Sequence, residues 1–212
     1  MIVFLVHGMG RTPRSFALLA WRLERAGLRT SRFGYRVRDE DLHPIADRFA
    51  AFVRERAAGD RYVIVGHSLG NVIARLASPR LPAGLASLVM LAPPNRPSRL
   101  AALLGEHPVA GDLFRALTGD AGQRLADPDF YASLPVPAVP TLVLAGTSGP
   151  RAGWLPFGGS ASDGIVSVEE TYLDGAEHRE VRAIHTLIMN DAEVTRAIVE
   201  LVSKADQREM RR

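Results

Sequence analysis

The sequence has no cysteine, and this absence excludes several kinds of site. None of the 212 residues is a cysteine, so disulfide bonds, thiolate metal ligands and a thiol nucleophile are all ruled out. A chain without cysteine is compatible with a reducing compartment and favours a cytoplasmic location. Any covalent chemistry must therefore come from another type of side chain.

The sequence also lacks an apolar run long enough to cross a membrane. Its start, MIVFLVHGMG, contains only six consecutive apolar residues, Met1 to Val6. It has neither the basic segment nor the small-residue cleavage site of an export signal. We therefore expect no integral membrane association, and a run of this length is typical of a buried strand.

A large excess of one charge is missing as well. The chain has 26 lysines and arginines against 23 aspartates and glutamates, a net charge of +3, and aromatic residues make up 7%. The basic residues are scattered among acidic ones and form no stripe with interleaved aromatics, so we expect no nucleic-acid partner. Anionic substrates and a weak attraction to acidic lipid surfaces stay open.

The composition that is present is that of one folded domain. Hydrophobic residues make up 47% of the chain, which is enough for a sizeable core. The length is too short for two comfortable domains, so we expect a single domain over residues 1–212. The sequence carries no prediction of oligomeric state.

Strand-like and helical segments alternate along the chain. Strands are expected at Met1–Val6, Ser31–Tyr35, Arg61–Val65, Leu85–Leu91, Thr141–Ala145 and Glu180–Ile184. Helices are expected after Thr12 and Pro13, from Pro44, over Asn71–Ala77, and after Asn190 or Asp191. This alternation predicts an α/β fold with a mainly parallel sheet of about six strands and helices on both faces. From about 92 to 139 the pattern loosens, which predicts a small cap or a surface crossover.

One short motif points to chemistry. The stretch GHSLG, residues 66–70, fits the pattern G-x-S-x-G and lies between an apolar strand and a helical segment. A serine in so tight a turn is strained, and the positions two before and two after it, Gly66 and Gly70, must lack side chains. The free amides of the following helix can stabilise negative charge near Ser68. The alternative is a glycine-rich loop with a solvent-exposed serine.

The chain resembles the α/β-hydrolase superfamily, particularly its small bacterial lipases and esterases. The stretches FLVHGMG, VGHSLGN, DGIV and the histidine of IHTLIMND carry the resemblance, which spans nearly the whole chain. It implies that the loop at His7–Gly10 supplies an oxyanion hole, formed by the backbone N–H groups of Met9 and Leu69. A plain turn at His7–Gly8 is the alternative. Two extra early strands of longer members are missing, and Asn71 stands where a third glycine is frequent.

A serine needs a neighbouring base, and the chain has six histidines. We predict His185, because it follows the last expected strand at the sheet edge where reacting groups gather, and because it completes the chain order Ser, Asp, His. His178 is the main rival. The others are assigned to the adjacent turn, the oxyanion loop or positions before proline: His67, His7, His43 and His107.

The base in turn needs a carboxylate to hold its tautomer. We predict Asp163, because SASDGIVS places it in the loop after the fifth strand and resembles the D-x-x-V element of related lipases. Glu169, Glu170 and Asp174 follow closely and are the alternatives.

The expected function is hydrolysis of carboxylic esters through an acyl-enzyme on Ser68, with no metal and no organic cofactor. The expected substrate is a small acyl ester or a lipid-like ester. A thioesterase or amidase using the same triad is one alternative, and a non-catalytic binding module with this fold is another. Candidates for an acyl pocket, which are equally compatible with ordinary core, are Trp154, Leu155, Phe157 and the segment RLAALL at 99–104.

Overall fold

The six strands form one parallel sheet. A computed structural model describes residues 1–38, 40–107, 111–112, 116, 118–153 and 156–209. In these residues the strands are β1 (Ile2–Val6), β2 (Arg29–Phe33), β3 (Tyr62–His67), β4 (Leu85–Leu91), β5 (Thr141–Gly146) and β6 (Glu177–Val181). Their order in the sheet is β2-β1-β3-β4-β5-β6, and every pair is parallel. The predicted α/β architecture is confirmed.

Helices connect the strands. The α-helices are α1 (Ala17–Arg25), α2 (Leu42–Ala57), α3 (Leu69–Ala77), α4 (Arg99–Glu106), α5 (Asp120–Arg124), α6 (Pro128–Ser133) and α7 (Ala192–Glu209). Short 3-10 helices occur at Pro13–Phe16, Ser78–Arg80, Glu169–Thr171 and Ile188–Asn190. Asp191 begins α7, because its Oδ1 accepts a hydrogen bond from the N–H of Glu193 at 2.7 Å.

Two apolar cores lie on the two faces of the sheet. One contains the buried faces of α2 and α3, with Phe49 and Ile73 among the fully buried side chains. The other contains α1 and α7, with Leu23 and Ile198 fully buried. The inner strands β1, β3 and β5 are buried along their whole length, which explains their continuous apolar sequences. Helices therefore cover both faces, as predicted.

The two edge strands differ from their predicted positions. The last strand is Glu177–Val181 and not Glu180–Ile184, and the second is Arg29–Phe33 and not Ser31–Tyr35. Each pairs on one side only and carries mostly polar residues, so its sequence contains no continuous apolar run to mark the ends. His178 consequently lies inside the last strand, not before it.

The segment from 92 to 139 contains α4, α5 and α6. Phe130, Tyr131 and Leu134 of this segment belong to the core on the α2–α3 face. This part of the segment is therefore packed against the body of the protein. In the described part of the chain no helix is both long and apolar enough to span a bilayer.

All of the parallel strands end at one edge of the sheet. His7 follows β1, Ser68 follows β3, and His185 lies four residues beyond the end of β6. In an open parallel sheet this edge is where ligands and reacting groups gather. The topology alone therefore directs these three residues to the same edge.

Candidate active site

Ser68 occupies a strained turn between β3 and α3. Its backbone has φ 52° and ψ −123°, an unusual conformation for a residue with a side chain. The N–H of Ser68 donates to the carbonyl of Leu91 at 2.9 Å, and the carbonyl of Ser68 accepts from Asn71 N–H at 3.0 Å. These bonds to β4 and to α3 hold the strained residue in place.

Two glycines permit the close packing of this turn. A Cβ on Gly70 would contact the carbonyl of Val6 and lie 2.7 Å from that of His7, and a Cβ on Gly66 would lie 2.9 Å from Asn71 Cγ. Real Cβ atoms essentially never approach so closely. The spacing of glycines around Ser68 therefore lets α3 lie directly against the end of β1.

Gly70→Ala is expected to destabilise the protein by about 1–3 kcal/mol, because the added methyl group must push two backbone segments apart. Urea denaturation measures the free energy of unfolding. Gly105→Ala is the matched control, since a Cβ at that position in α4 meets no atom of the described residues within 4 Å and alanine favours a helix. Equal stability of the two variants would contradict the close packing.

The loop after β1 packs against the same turn. A Cβ on Gly8 would lie 3.0 Å from the Cβ of Ser68 and 2.9 Å from Nδ1 of His67. Met9 follows directly, and Leu69 is the first residue of α3, so its N–H has no acceptor within the helix. The two residues predicted to form the oxyanion hole therefore lie on two segments that meet at Ser68.

His7 holds this loop in its conformation. Its Nε2 accepts a hydrogen bond from Tyr35 N–H at 3.3 Å, so Nδ1 carries the proton and donates to the carbonyl of Gly8 at 2.9 Å. The Tyr35 hydroxyl donates to the carbonyl of His7 at 2.6 Å, and the two rings stack with centroids 4.4 Å apart. Burial lowers the pKa of His7. The neutral imidazole therefore stabilises the loop after β1, and both of its nitrogens are already in hydrogen bonds.

Asp163 and His185 form a buried pair. Asp163 Oδ2 lies 2.7 Å from His185 Nδ1, and the N–H of His185 donates to the carbonyl of Asp163 at 3.0 Å. The second oxygen, Oδ1, accepts from the N–H groups of Ile165 and Val166 at 2.9 and 2.8 Å. The carboxylate is thus fully oriented, and Nε2 of His185 is left for a second partner.

His185 lies beside the serine turn. The Nε2 of His67, the residue before Ser68, donates to the carbonyl of His185 at 2.9 Å, and the two rings have centroids 4.8 Å apart. Ser68 Oγ has no hydrogen-bond partner among the described residues, and catalytic hydrogen bonds commonly tighten only when substrate binds. The structure therefore brings the His185 loop against the residue next to Ser68.

His178, the main rival for the base, has other contacts. Its Nε2 lies 2.8 Å from Thr171 Oγ1, and its ring stacks on Tyr172 with centroids 4.3 Å apart. Because the Thr171 hydroxyl donates to the carbonyl of Val168 at 2.6 Å, it accepts from His178. His178 therefore connects β6 to the neighbouring loop.

The three alternative carboxylates either have hydrogen-bond or ion-pair partners of their own or are exposed. Glu170 is buried, and its oxygens accept from Ser167 N–H at 2.6 Å, Ser167 Oγ at 2.8 Å and Arg99 N–H at 2.6 Å. Glu169 pairs with the Arg99 guanidinium at 2.6 Å, and Asp174 is exposed. Their positions are those of loop-stabilising and surface groups.

The sequence assigns His67 only to the turn beside Ser68, and the structure adds its hydrogen bond to the carbonyl of His185. That bond requires the proton on Nε2, and Nδ1 is buried with no hydrogen-bond partner among the described residues. Burial, followed by the charge of His185, lowers the pKa of His67 well below its ordinary value. A sequence shows the two histidines 118 positions apart and carries no signal of this contact.

The protein is expected to lose stability below about pH 6.5 because His67 is neutral when folded and takes up a proton when unfolded. This contribution is fully present above that pH and is lost as the pH falls. For one group the slope approaches about 1.4 kcal/mol per pH unit. Urea denaturation between about pH 5 and 7 should show a smaller slope for His67→Gln, which keeps a donor near Nε2. Equal slopes for variant and wild type would contradict the assignment.

Exposed apolar side chains occur close to the pair along the chain. Ile165, Ile184 and Leu187, which are 41%, 41% and 53% exposed, lie within two residues of Asp163 or His185. The sequence prediction of an acyl pocket did not include them. Of the residues it named, Phe157 is buried, and Trp154 and Leu155 lie outside the described residues. Within the described ranges no group of three or more metal-ligating side chains is present.

A family model matches nearly the whole chain and agrees with the observed fold. A model of the Alpha/beta hydrolase family matches residues 3–210, so the chain belongs to that family. The comparison with curated proteins found no significant match.

Solved structures with the same fold include lipases and esterases. The mature lipase BlEst2 of Bacillus licheniformis superposes with a TM-score of 0.73 at 20% identity, over 93% of this chain and 91% of that one. The metagenomic carboxyl esterase MGS0156 gives 0.74 at 21% identity, over 99% and 76%. The monoacylglycerol lipase of Paleococcus ferrophilus gives 0.59 at 21% identity, over 95% and 94%. At these identities the similarity establishes a shared fold.

Proposed function

We propose that the protein hydrolyses carboxylic esters through an acyl-enzyme formed on Ser68. The observation that carries the proposal is the buried Asp163–His185 pair, whose imidazole lies beside the strained serine turn. A neutral histidine with one nitrogen held by a carboxylate is the arrangement that activates a serine hydroxyl.

In the first half of the reaction Ser68 Oγ attacks the carbonyl carbon while His185 Nε2 takes the hydroxyl proton. The carbonyl π electrons move to the oxygen, which accepts hydrogen bonds from the N–H groups of Met9 and Leu69. When this intermediate collapses, the bond to the alcohol oxygen breaks and His185 returns the proton to the leaving alcohol. The acyl group stays on Ser68.

In the second half a water molecule replaces the alcohol. His185 removes a proton from the water, whose oxygen attacks the acyl carbon, and the acid leaves as Ser68 Oγ takes the proton back. Asp163 stabilises the imidazolium in both halves and keeps the proton of the resting ring on Nδ1. Every proton is returned, so the cycle requires no metal and no organic cofactor.

The proposed substrate is a small-molecule acyl ester or a lipid-like ester. Ile165, Ile184 and Leu187 expose apolar surface next to the pair and are suited to contact an acyl chain. The similar solved structures include a lipase, a carboxyl esterase and a monoacylglycerol lipase, which supports an ester substrate.

Labelling with a fluorophosphonate probe at neutral pH tests the nucleophile. Adduct mass on the peptide containing Ser68 is expected for the wild type and none for Ser68→Ala. Matched ester, thioester and amide panels then rank the acyl substrates, with esters expected to be hydrolysed fastest. Absence of labelling in folded wild type would favour a binding module, and a faster thioester or amide would replace the ester assignment.

A further inference from the structure

A cavity of about 410 Å³ lies beside the loop that follows β1. Gly8 and Gly10 form one side of it, and residues 35–38, which follow β2, form the other. Gly8 also packs against Ser68, so the cavity and the serine turn have this residue in common. The cavity is therefore placed to hold part of a substrate whose ester group lies at Ser68.

Arginines dominate the charge of this cavity. In residues 35–38 Tyr35 and Val37 are buried, whereas Arg36 and Arg38 are exposed, so the alternation directs both guanidinium groups outward from the core. Neither forms an ion pair or a side-chain hydrogen bond with a described residue. The nearby Glu40 is already paired with Arg48, whose Nε donates to it at 3.0 Å.

A third arginine connects the cavity to the proposed base. Arg11 lines the cavity, and its Nη2 donates at 3.1 Å to the carbonyl of Thr186, the residue after His185. Some arginines elsewhere in the chain have acidic partners: Arg29 with Asp60, Arg80 with Asp47 and Arg99 with Glu169. The three cavity arginines place positive charge at the edge of the site, without an ion pair to any described residue.

We propose that this cavity binds an anionic group of the substrate, a carboxylate or a phosphate, so that the hydrolase acts on negatively charged small-molecule esters. The inference rests on the proposed function. Guanidinium groups match the planar, bidentate geometry of carboxylates and phosphates. A concave site lined by charges of one sign also raises the local concentration of an oppositely charged substrate.

Charged and neutral substrates of similar size test the preference. Mono-4-nitrophenyl succinate is compared with 4-nitrophenyl butanoate, which places the charge on the acyl side. On the alcohol side 4-acetoxybenzoate and 4-acetoxyphenyl phosphate are compared with neutral 4-acetoxybenzamide, which separates carboxylate from phosphate. At least one charged ester should have a kcat/KM about tenfold above that of its neutral partner, and added salt should reduce the ratio. These esters are monomeric in solution, so attraction to a lipid surface cannot produce the preference.

The double variant Arg36→Gln/Arg38→Gln should abolish most of the preference and leave hydrolysis of the neutral esters unchanged. Arg56→Gln/Arg196→Gln is the matched control, because it removes the same charge from exposed positions on α2 and α7 and should keep the preference. Arg11 is not replaced, since its bond to Thr186 supports the loop of the base.

A binding measurement separates failure of this inference from failure of the proposed function. Ser68→Ala should bind the favoured anionic ester more tightly than its neutral partner by calorimetry, and adding Arg36→Gln/Arg38→Gln should remove the difference. This result would hold even if the wild type hydrolysed none of the esters. Equal affinities, together with equal kcat/KM values, would overturn the anion site whether or not the probe labels Ser68.

Discussion

Ser68→Ala is expected to lower kcat for the best ester by about a millionfold, the loss found when a triad nucleophile is removed. The physical reason is that no acyl-enzyme can form, so only substrate binding and the oxyanion donors remain to assist direct attack by water. Initial rates at saturating substrate measure the effect.

The fold of this variant should be preserved, because Ser68 Oγ has no hydrogen-bond partner among the described residues. The strained backbone at φ 52° is held by main-chain bonds to Leu91 and Asn71, which alanine keeps. Ser203→Ala is the control, since it removes an exposed hydroxyl on α7 and should retain full activity. Activity of Ser68→Ala within tenfold of the wild type would place the nucleophile elsewhere.

The serine turn could be predicted because its requirements are local. The glycines at 66 and 70, the valine-rich strand before them and the helix after them all lie within about ten residues. The structure explains both glycines by contacts that a side chain would obstruct, with Asn71 in one case and with the end of β1 in the other. Local steric requirements leave a signal in the sequence, and here the two glycines and the flanking strand and helix are enough to predict the turn.

The contact between Asp163 and His185 could be predicted only in part. Chain order and the resemblance to lipases selected these two residues, and the structure brings His185 Nδ1 to 2.7 Å from Asp163 Oδ2. The location of β6 was predicted three residues too late, because an edge strand with the sequence EHREV has no apolar run. The prediction of His185 does not depend on this error, since the residue lies beyond the end of the strand in either case.

Contacts between distant loops could not be predicted at all. His67 donates to the carbonyl of His185, and Arg11 donates to the carbonyl of Thr186, so two side chains near the sheet edge hold the His185 loop through its backbone. Carbonyl groups are present at every residue, so an acceptor of this kind has no sequence signature. The position of the His185 loop depends on these contacts, which form only once the loops are in place.

Asp163→Asn is expected to lower kcat by about 10⁴-fold, because asparagine would hold the base in the wrong tautomer. The N–H groups of Ile165 and Val166 both point at Oδ1, so the amide oxygen must take that position. The amide NH₂ group then faces His185 Nδ1, which must accept a hydrogen bond. The imidazole proton therefore moves to Nε2, where it blocks transfer from Ser68.

The measurement is kcat for the best ester in Asp163→Asn, with Asp174→Asn and Glu169→Gln as controls for the other candidate acids. Both controls alter exposed carboxylates and should retain activity within about twofold, since surface charges contribute little at a distance. Denaturation should show that Asp163→Asn remains folded, because the backbone donors keep an acceptor. If Asp163→Asn were as active as the wild type and one of the controls were not, the carboxylate that orients the base would be that other residue. The buried 2.7 Å pair would then have only a structural role.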